Sequence, residues 1–225
     1  APKTLDLIRN FLSEHRFRAE SPEAAGKIAA LFWGREELAQ ASSAESADLP
    51  PIPGFCGALR PYQAAGVAYA AKVKRCLIAD EMGLGKTPEA LATVEHLGAY
   101  PAAFVVPASL RMNWLRQAKK FLPGRTHEMI LAAKDRPSGK ADAYYLSYEA
   151  LRSGLDAFQE EGKKRRRYVL GGLGESLRAL GLRAVVFDEM HYAKDPDASQ
   201  SRAAELLADG VEVRLGLTGT PFLNK

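Results

Sequence analysis

Cys76-Leu77-Ile78-Ala79-Asp80-Glu81-Met82-Gly83-Leu84-Gly85-Lys86-Thr87-Pro88-Glu89-Ala90-Leu91 is the stretch that decides the fold. An apolar run passes into a glycine-spaced loop closing on Gly-Lys-Thr, and a helical pattern follows. Strand, loop and helix in that order form a phosphate-binding loop of the Walker A kind. Its glycines let the main chain wrap closely round a triphosphate, and the helix offers unpaired N–H groups and the positive end of its dipole. Lys86 can reach the β and γ phosphates, and Thr87 can ligate magnesium. Pro88 falls in the first helical turn, where an N–H is dispensable. Asp80 stands where GxxxxGK[ST] usually begins with glycine. The nucleotide-binding set is Asp80, Gly83, Gly85, Lys86 and Thr87, and the implied ligands are ATP and Mg2+.

Outward from the loop, short aliphatic runs alternate with longer helical patterns: 76–79, 104–106, 144–147, 184–187 and 214–218. Buried runs separated by helices predict an α/β fold with a mostly parallel sheet flanked by helices. Ligands in such a sheet bind at the carboxyl ends of the strands, where the polar motifs of this chain begin. Ala184-Val185-Val186-Phe187 delivers Asp188-Glu189-Met190-His191, two adjacent carboxylates in the Walker B arrangement. Asp188 is the candidate holder of magnesium, and Glu189 the candidate acceptor of the attacking water's proton. The last run ends in Thr218-Gly219-Thr220-Pro221. The hydroxyls of Thr218 and Thr220 can bond His191 and sense the γ phosphate. Each motif alone could be an ordinary turn or solvated strand end; their order and spacing carry the inference.

With 225 residues, 47% hydrophobic and 26% charged, the chain has the composition of a globular domain plus an appendage. Thirty-one Lys and Arg oppose 27 Asp and Glu, so a nucleic-acid surface would have to come from local clustering. The marked cluster is Lys163 to Arg167. Cys56 and Cys76 share no CxxC spacing, which argues against a disulfide framework or structural zinc and for a reducing compartment. The N-terminus shows no leader pattern and no run reaches a membrane span, so a soluble intracellular protein is expected, in cytoplasm or nucleoid, or the nucleus of a eukaryote. Leu5, Ile8, Phe11 and Leu12 are helically spaced, and Ser21-Pro22-Glu23 announces a second helix. A Pro-rich connector, Leu49 to Gly54, follows. The expected division is a helical segment and connector over 1–56 and the nucleotide-binding lobe over 57–225.

Taken together these residues resemble superfamily 2 helicases, and Ala79 to Thr87 is similar to the Swi/Snf branch, in which Asp80 is normal. The resemblance implies a RecA-like lobe. Leu59-Arg60-Pro61-Tyr62-Gln63 is similar to the family's adenine-recognition segment, which makes Gln63 the implied reader of the adenine edge. Val105-Val106-Pro107-Ala108-Ser109-Leu110 with Trp114 is similar to motif Ia, and Leu146-Ser147-Tyr148-Glu149 to motif Ib, elements that line the DNA path in relatives. Within the family the chain looks closest to HARP-like annealing helicases. Pro88-Glu89 and Met190 depart from the usual pattern without removing a phosphate or metal ligand.

The resemblance implies a DNA-dependent ATPase that tracks double-stranded DNA, with Ser109, Arg111, Asn113 and Ser147 as candidate phosphate contacts. It also implies a second RecA-like lobe, supplying arginines across an ATP cleft, for which nothing after Pro221 has room. Two other readings stand beside the duplex-DNA translocase: a strand-separating helicase or restriction-type motor subunit, and a nucleotide and DNA binding module with negligible turnover. For the 225-residue chain alone, weak ATP binding and slow hydrolysis are expected.

Overall fold

A computed structural model describes residues 41, 43–159, 166–193, 195 and 198–219. The helices expected between residues 4 and 40 lie outside this set, as do Lys163 to Arg165, Thr220 and Pro221. A compact unit begins at Ala44.

Five aliphatic runs become strands β1 (Arg75–Ile78), β2 (Ala102–Val106), β4 (Ala143–Ser147), β7 (Ala184–Phe187) and β8 (Val213–Leu217). With a short β3 (His127–Met129) they form one sheet in the order β1-β8-β7-β2-β4-β3, parallel throughout. Every residue of β2, β4 and β7 is buried, because helices cover both faces. Strand periodicity sorts the side chains between two cores. Phe104, Val106, Tyr145 and Val186 meet helices α1 (Pro61–Val73), α2 (Lys86–His96) and α3 (Arg111–Phe121) on one face. Val105, Tyr144, Leu146 and Val185 meet α4 (Tyr148–Arg152), α5 (Gly172–Ala179) and α6 (Ser199–Ala208) on the other. The architecture is the parallel α/β lobe that the strand pattern predicts.

Besides the short β3, two features depart from the sequence pattern. The first is an antiparallel hairpin of β5 (Leu155–Gln159) and β6 (Arg166–Leu170), separate from the main sheet. Arg166 and Arg167, read from sequence as part of a charge run, open strand β6. The second is the connector, whose Leu49, Ile52, Phe55 and Leu59 pack with Val67 of α1 and Ala92 of α2. Phe55 stacks on Phe121 at 5.4 Å, and the Cys56 N–H donates to the Phe121 carbonyl at 2.7 Å. The segment turns at Pro53-Gly54, where the Phe55 N–H donates to the Ile52 carbonyl at 3.1 Å, and its apolar side chains fasten it to the lobe.

Register brings the functional ends together. Ile78 pairs with Leu217, Phe187 with Gly216 and Val105, and Val106 with Ser147. The segments after β1, β8, β7, β2 and β4 therefore emerge side by side along one edge.

Candidate functional site

The loop after β1 turns through Gly83 and Gly85, at φ +87° and +84°, where a side chain would be strained. At Gly85 there is also no room, since a Cβ would come 2.5 Å from Gln63 Nε2. At Gly83 nothing lies within 4 Å of where a Cβ would stand, so there the positive φ alone favours glycine. Gly85 is the residue before helix α2, so Lys86, Thr87 and Pro88 form its first turn, whose N–H groups have no helical partner. Lys86 Nζ donates to the carbonyls of Asp80 at 2.7 Å and Glu81 at 3.0 Å, which keeps the ammonium inside the loop.

Gln63 is tied to this loop. Its Oε1 accepts from the Arg60 N–H at 2.9 Å, and its Nε2 donates to the carbonyls of Leu84 at 3.0 Å and Gly85 at 3.2 Å. Tyr62 adds a hydroxyl bond to Leu84 O at 2.9 Å. The residue expected at the adenine edge thus also braces the phosphate loop.

Glu89, one turn into α2, is buried at 1% exposure. Burial, and then the Asp80 carboxylate, push its pKa up to about 9, so it is neutral at physiological pH. It lies over Gly66 of α1, where a Cβ would collide with its carboxyl group. A protonated Glu carries no charge, which explains how this buried position tolerates an acid.

Asp188 follows β7 and is 7% exposed. Its Oδ2 accepts from the indole of Trp114 at 2.7 Å, its Oδ1 from the Glu189 N–H at 3.0 Å, and its carbonyl from the Tyr148 hydroxyl at 2.8 Å. Burial raises its pKa, while the Trp114 bond works against that rise and the Glu189 charge adds to it. Glu189 stands at φ +50°, a left-handed turn that takes the chain out of the strand direction directly after Asp188. His191 Nδ1 lies 3.1 Å from Glu189 Oε2 without hydrogen-bond alignment.

Thr218, 3% exposed, continues the ladder by donating its N–H to Ile78 O at 3.1 Å. A Cβ on Gly219 would stand 2.6 Å from Met82 Cγ and 3.6 Å from Lys86 Nζ, so this segment lies against the phosphate loop. Thr220 is outside the described residues.

The four proposed phosphate contacts of the DNA track separate in the structure. Ser109 and Asn113 are exposed around the start of α3. Arg111 instead donates from Nη1 to the carbonyls of Ile130 at 3.1 Å and Leu131 at 2.9 Å, fastening the loop after β3. Ser147 is 3% exposed and its hydroxyl caps α4 through the Ala150 N–H at 3.2 Å. Its side chain is engaged in starting a helix.

Phosphate loop and acidic pair thus share one edge of a parallel sheet, the arrangement of a RecA-like nucleotide-binding lobe. Residues 62–225 match the SNF2-related domain, and the chain belongs to that family, as a Swi/Snf-type helicase-like lobe. It is 31% identical over 204 residues to Helicase SWR1 of Debaryomyces hansenii, covering 84% of this chain and 11% of that protein. It is likewise 31% identical over 170 residues to the human DNA annealing helicase and endonuclease ZRANB3, covering 74% of this chain and 15% of that protein. The chain therefore spans a small part of these relatives. The Sulfolobus solfataricus SWI2/SNF2 ATPase core in complex with dsDNA shares its fold at a TM-score of 0.57 and 23% identity, over 78% of this chain and 35% of that one.

Among the described residues no helix is long and apolar enough to cross a membrane.

Proposed function

We propose that the chain is the ATP-binding first lobe of an ATP-dependent double-stranded DNA translocase or remodeller. The observation that carries this reading is the placement of Lys86 and the Asp188-Glu189 pair on one sheet edge, with Gly219 lying against the loop that holds the lysine. Lys86 and the first-turn N–H groups of α2 bind the phosphates, within the turn that Gly83 and Gly85 make possible. Asp80 helps shape that loop.

The donors present suit magnesium: Thr87 offers a hydroxyl and Asp188 a carboxylate, both hard oxygen ligands. When bound, the ion neutralises charge on the phosphate oxygens. Glu189 takes the proton of the attacking water. Gln63 reads the adenine edge while it braces the loop. His191, Thr218 and Thr220 relay nucleotide state to the neighbouring segments.

Duplex DNA is the proposed partner, held by its phosphates. Ser109 and Asn113 are the contacts this reading retains, being exposed in the turn after β2 and the first turn of α3. A second RecA-like lobe is the other partner, closing over the nucleotide and contributing cationic groups to it. Residues 57–225 form the lobe, with the connector strapped to it.

The test is steady-state ATPase of a longer protein containing this chain, with duplex or single-stranded DNA added. Stimulation by duplex, lost in Lys86→Ala, is expected. Equal rates with and without the Lys86 side chain would remove the assignment.

A further inference from the structure

Asp188 is held by two aromatic side chains, Trp114 and Tyr148, whose polar atoms play no part in the proposed chemistry. Trp114 is 1% exposed in α3, its ring 5.5 Å from that of Phe104. A buried indole N–H needs an acceptor, and here it finds a carboxylate oxygen 74 residues away. Packing alone would be served by Phe or Leu. The pairing with Asp188 Oδ2 is a charge-assisted bond in a water-poor setting, where such bonds are strongest.

We propose that Trp114 is a positioning residue that fixes the orientation of the Asp188 carboxylate for a divalent cation. This rests on the reading of Asp188 as a magnesium ligand. A carboxylate on a flexible side chain can rotate about two bonds. In this protein Oδ2 is held by the indole and Oδ1 by the Glu189 N–H, while the Tyr148 hydroxyl anchors the Asp188 carbonyl. Each carboxylate oxygen still has a lone-pair direction free for a cation or its water. Hydrogen bonds behind a metal ligand set its orientation and basicity, and their loss costs about 10- to 100-fold in metal affinity.

The bond also joins two parts of the lobe. Helix α3 begins beside the exposed Ser109 and Asn113, and Trp114 is its fourth residue. A shift of α3 is carried by the indole to the carboxylate, so this helix connects the end of β2 to the metal site.

The experiment uses the 225-residue chain and its Trp114→Phe variant, which keeps an aromatic ring and deletes the N–H. Binding of a fluorescent ATP analogue is measured in EDTA and across a Mg2+ titration. Affinity in EDTA within about twofold of the parent is expected, with the Mg2+ concentration at half-effect raised by about 10-fold. An unchanged Mg2+ midpoint, or an equal loss with and without Mg2+, would overturn the proposal.

A second measurement covers a variant that does not fold. Trp33→Phe leaves Trp114 the sole tryptophan, and the chain is labelled with 5-fluorotryptophan. Its 19F resonance is expected to move on adding the analogue with Mg2+ but not the analogue in EDTA. A resonance that stays in place while binding proceeds would also overturn the proposal. If Lys86→Ala binds the analogue as tightly as the parent does, the nucleotide-site reading itself falls, a failure separate from that of Trp114.

Discussion

Replacing Glu89 by Gln tests the physical account of the phosphate-loop helix at a buried group, 1% exposed. Glu89 titrates near 4.5 when exposed, whereas burial and the neighbouring Asp80 carboxylate bring it to about 9 in the folded chain. Below pH 4.5 folded and unfolded states both hold the proton. Between the two values the folded state binds one proton more, so stability falls as pH rises through this window and levels off above it. The limiting slope is about 1.36 kcal/mol per pH unit, so Glu89 accounts for a loss of up to about 2.7 kcal/mol between pH 6 and 8. Gln has nearly the same shape and does not titrate. Urea unfolding of parent and Glu89→Gln at pH 6, 7 and 8 reads the contribution of Glu89 together with the neighbours it is coupled to, Asp80 and Lys86, since the remaining ionisable groups cancel in the difference. The variant's advantage is expected to grow with each step in pH. A gap that stays constant across the series would refute a protonated, buried Glu89.

Three further outcomes follow from individual contacts. Arg125 donates to Glu95 at 2.9 Å from both Nε and Nη2, and Tyr100 donates to the same carboxylate at 2.7 Å. Arg125→Ala leaves that buried acid with the Tyr100 hydroxyl but no counter-charge and should cost about 2 kcal/mol in denaturant unfolding, below the figure for a fully buried pair because the guanidinium is part-exposed; a change under 0.5 would count against it. Arg111→Ala should lower stability by about 1 kcal/mol and leave the salt dependence of DNA binding unchanged, since its donors serve carbonyls. A salt slope reduced by about one unit would instead make Arg111 a phosphate contact. Gly85→Ala, strained at φ +84° and crowded by Gln63, should weaken binding of a fluorescent ATP analogue at least about tenfold, and unaltered affinity would contradict the tight loop.

The readable parts of the sequence are those whose chemistry is local. Lys86 and Thr87 stand in a strand-loop-helix whose glycines announce the turn, and Asp188 ends an all-apolar strand, so both were legible without tertiary information. Strand β3 was not, because His127-Glu128-Met129 has no β-branched run and pairs with a single neighbour, β4. The hairpin escaped because its link, Glu160 to Arg165, is a charge run with one glycine and no tight-turn signature. Contacts distant in sequence were also invisible: Trp114 and Tyr148 reach Asp188 across 74 and 40 residues. The hint available was chemical, since a buried Trp or Tyr needs a partner for its donor. Ser147 reads from its place in the motif Ib segment as a phosphate contact, and only the fold shows that its hydroxyl caps α4.

The central claim is that this edge of the sheet hydrolyses ATP with Glu189 as the base, and Glu189→Gln in a longer protein containing the chain tests it most directly. The amide keeps the size of the side chain but is far too weak a base to take the proton of the attacking water. ATP and Mg2+ binding within about twofold of the parent, with DNA-stimulated hydrolysis reduced at least about 100-fold, is the predicted result. Hydrolysis at the parental rate, with binding intact, would contradict it.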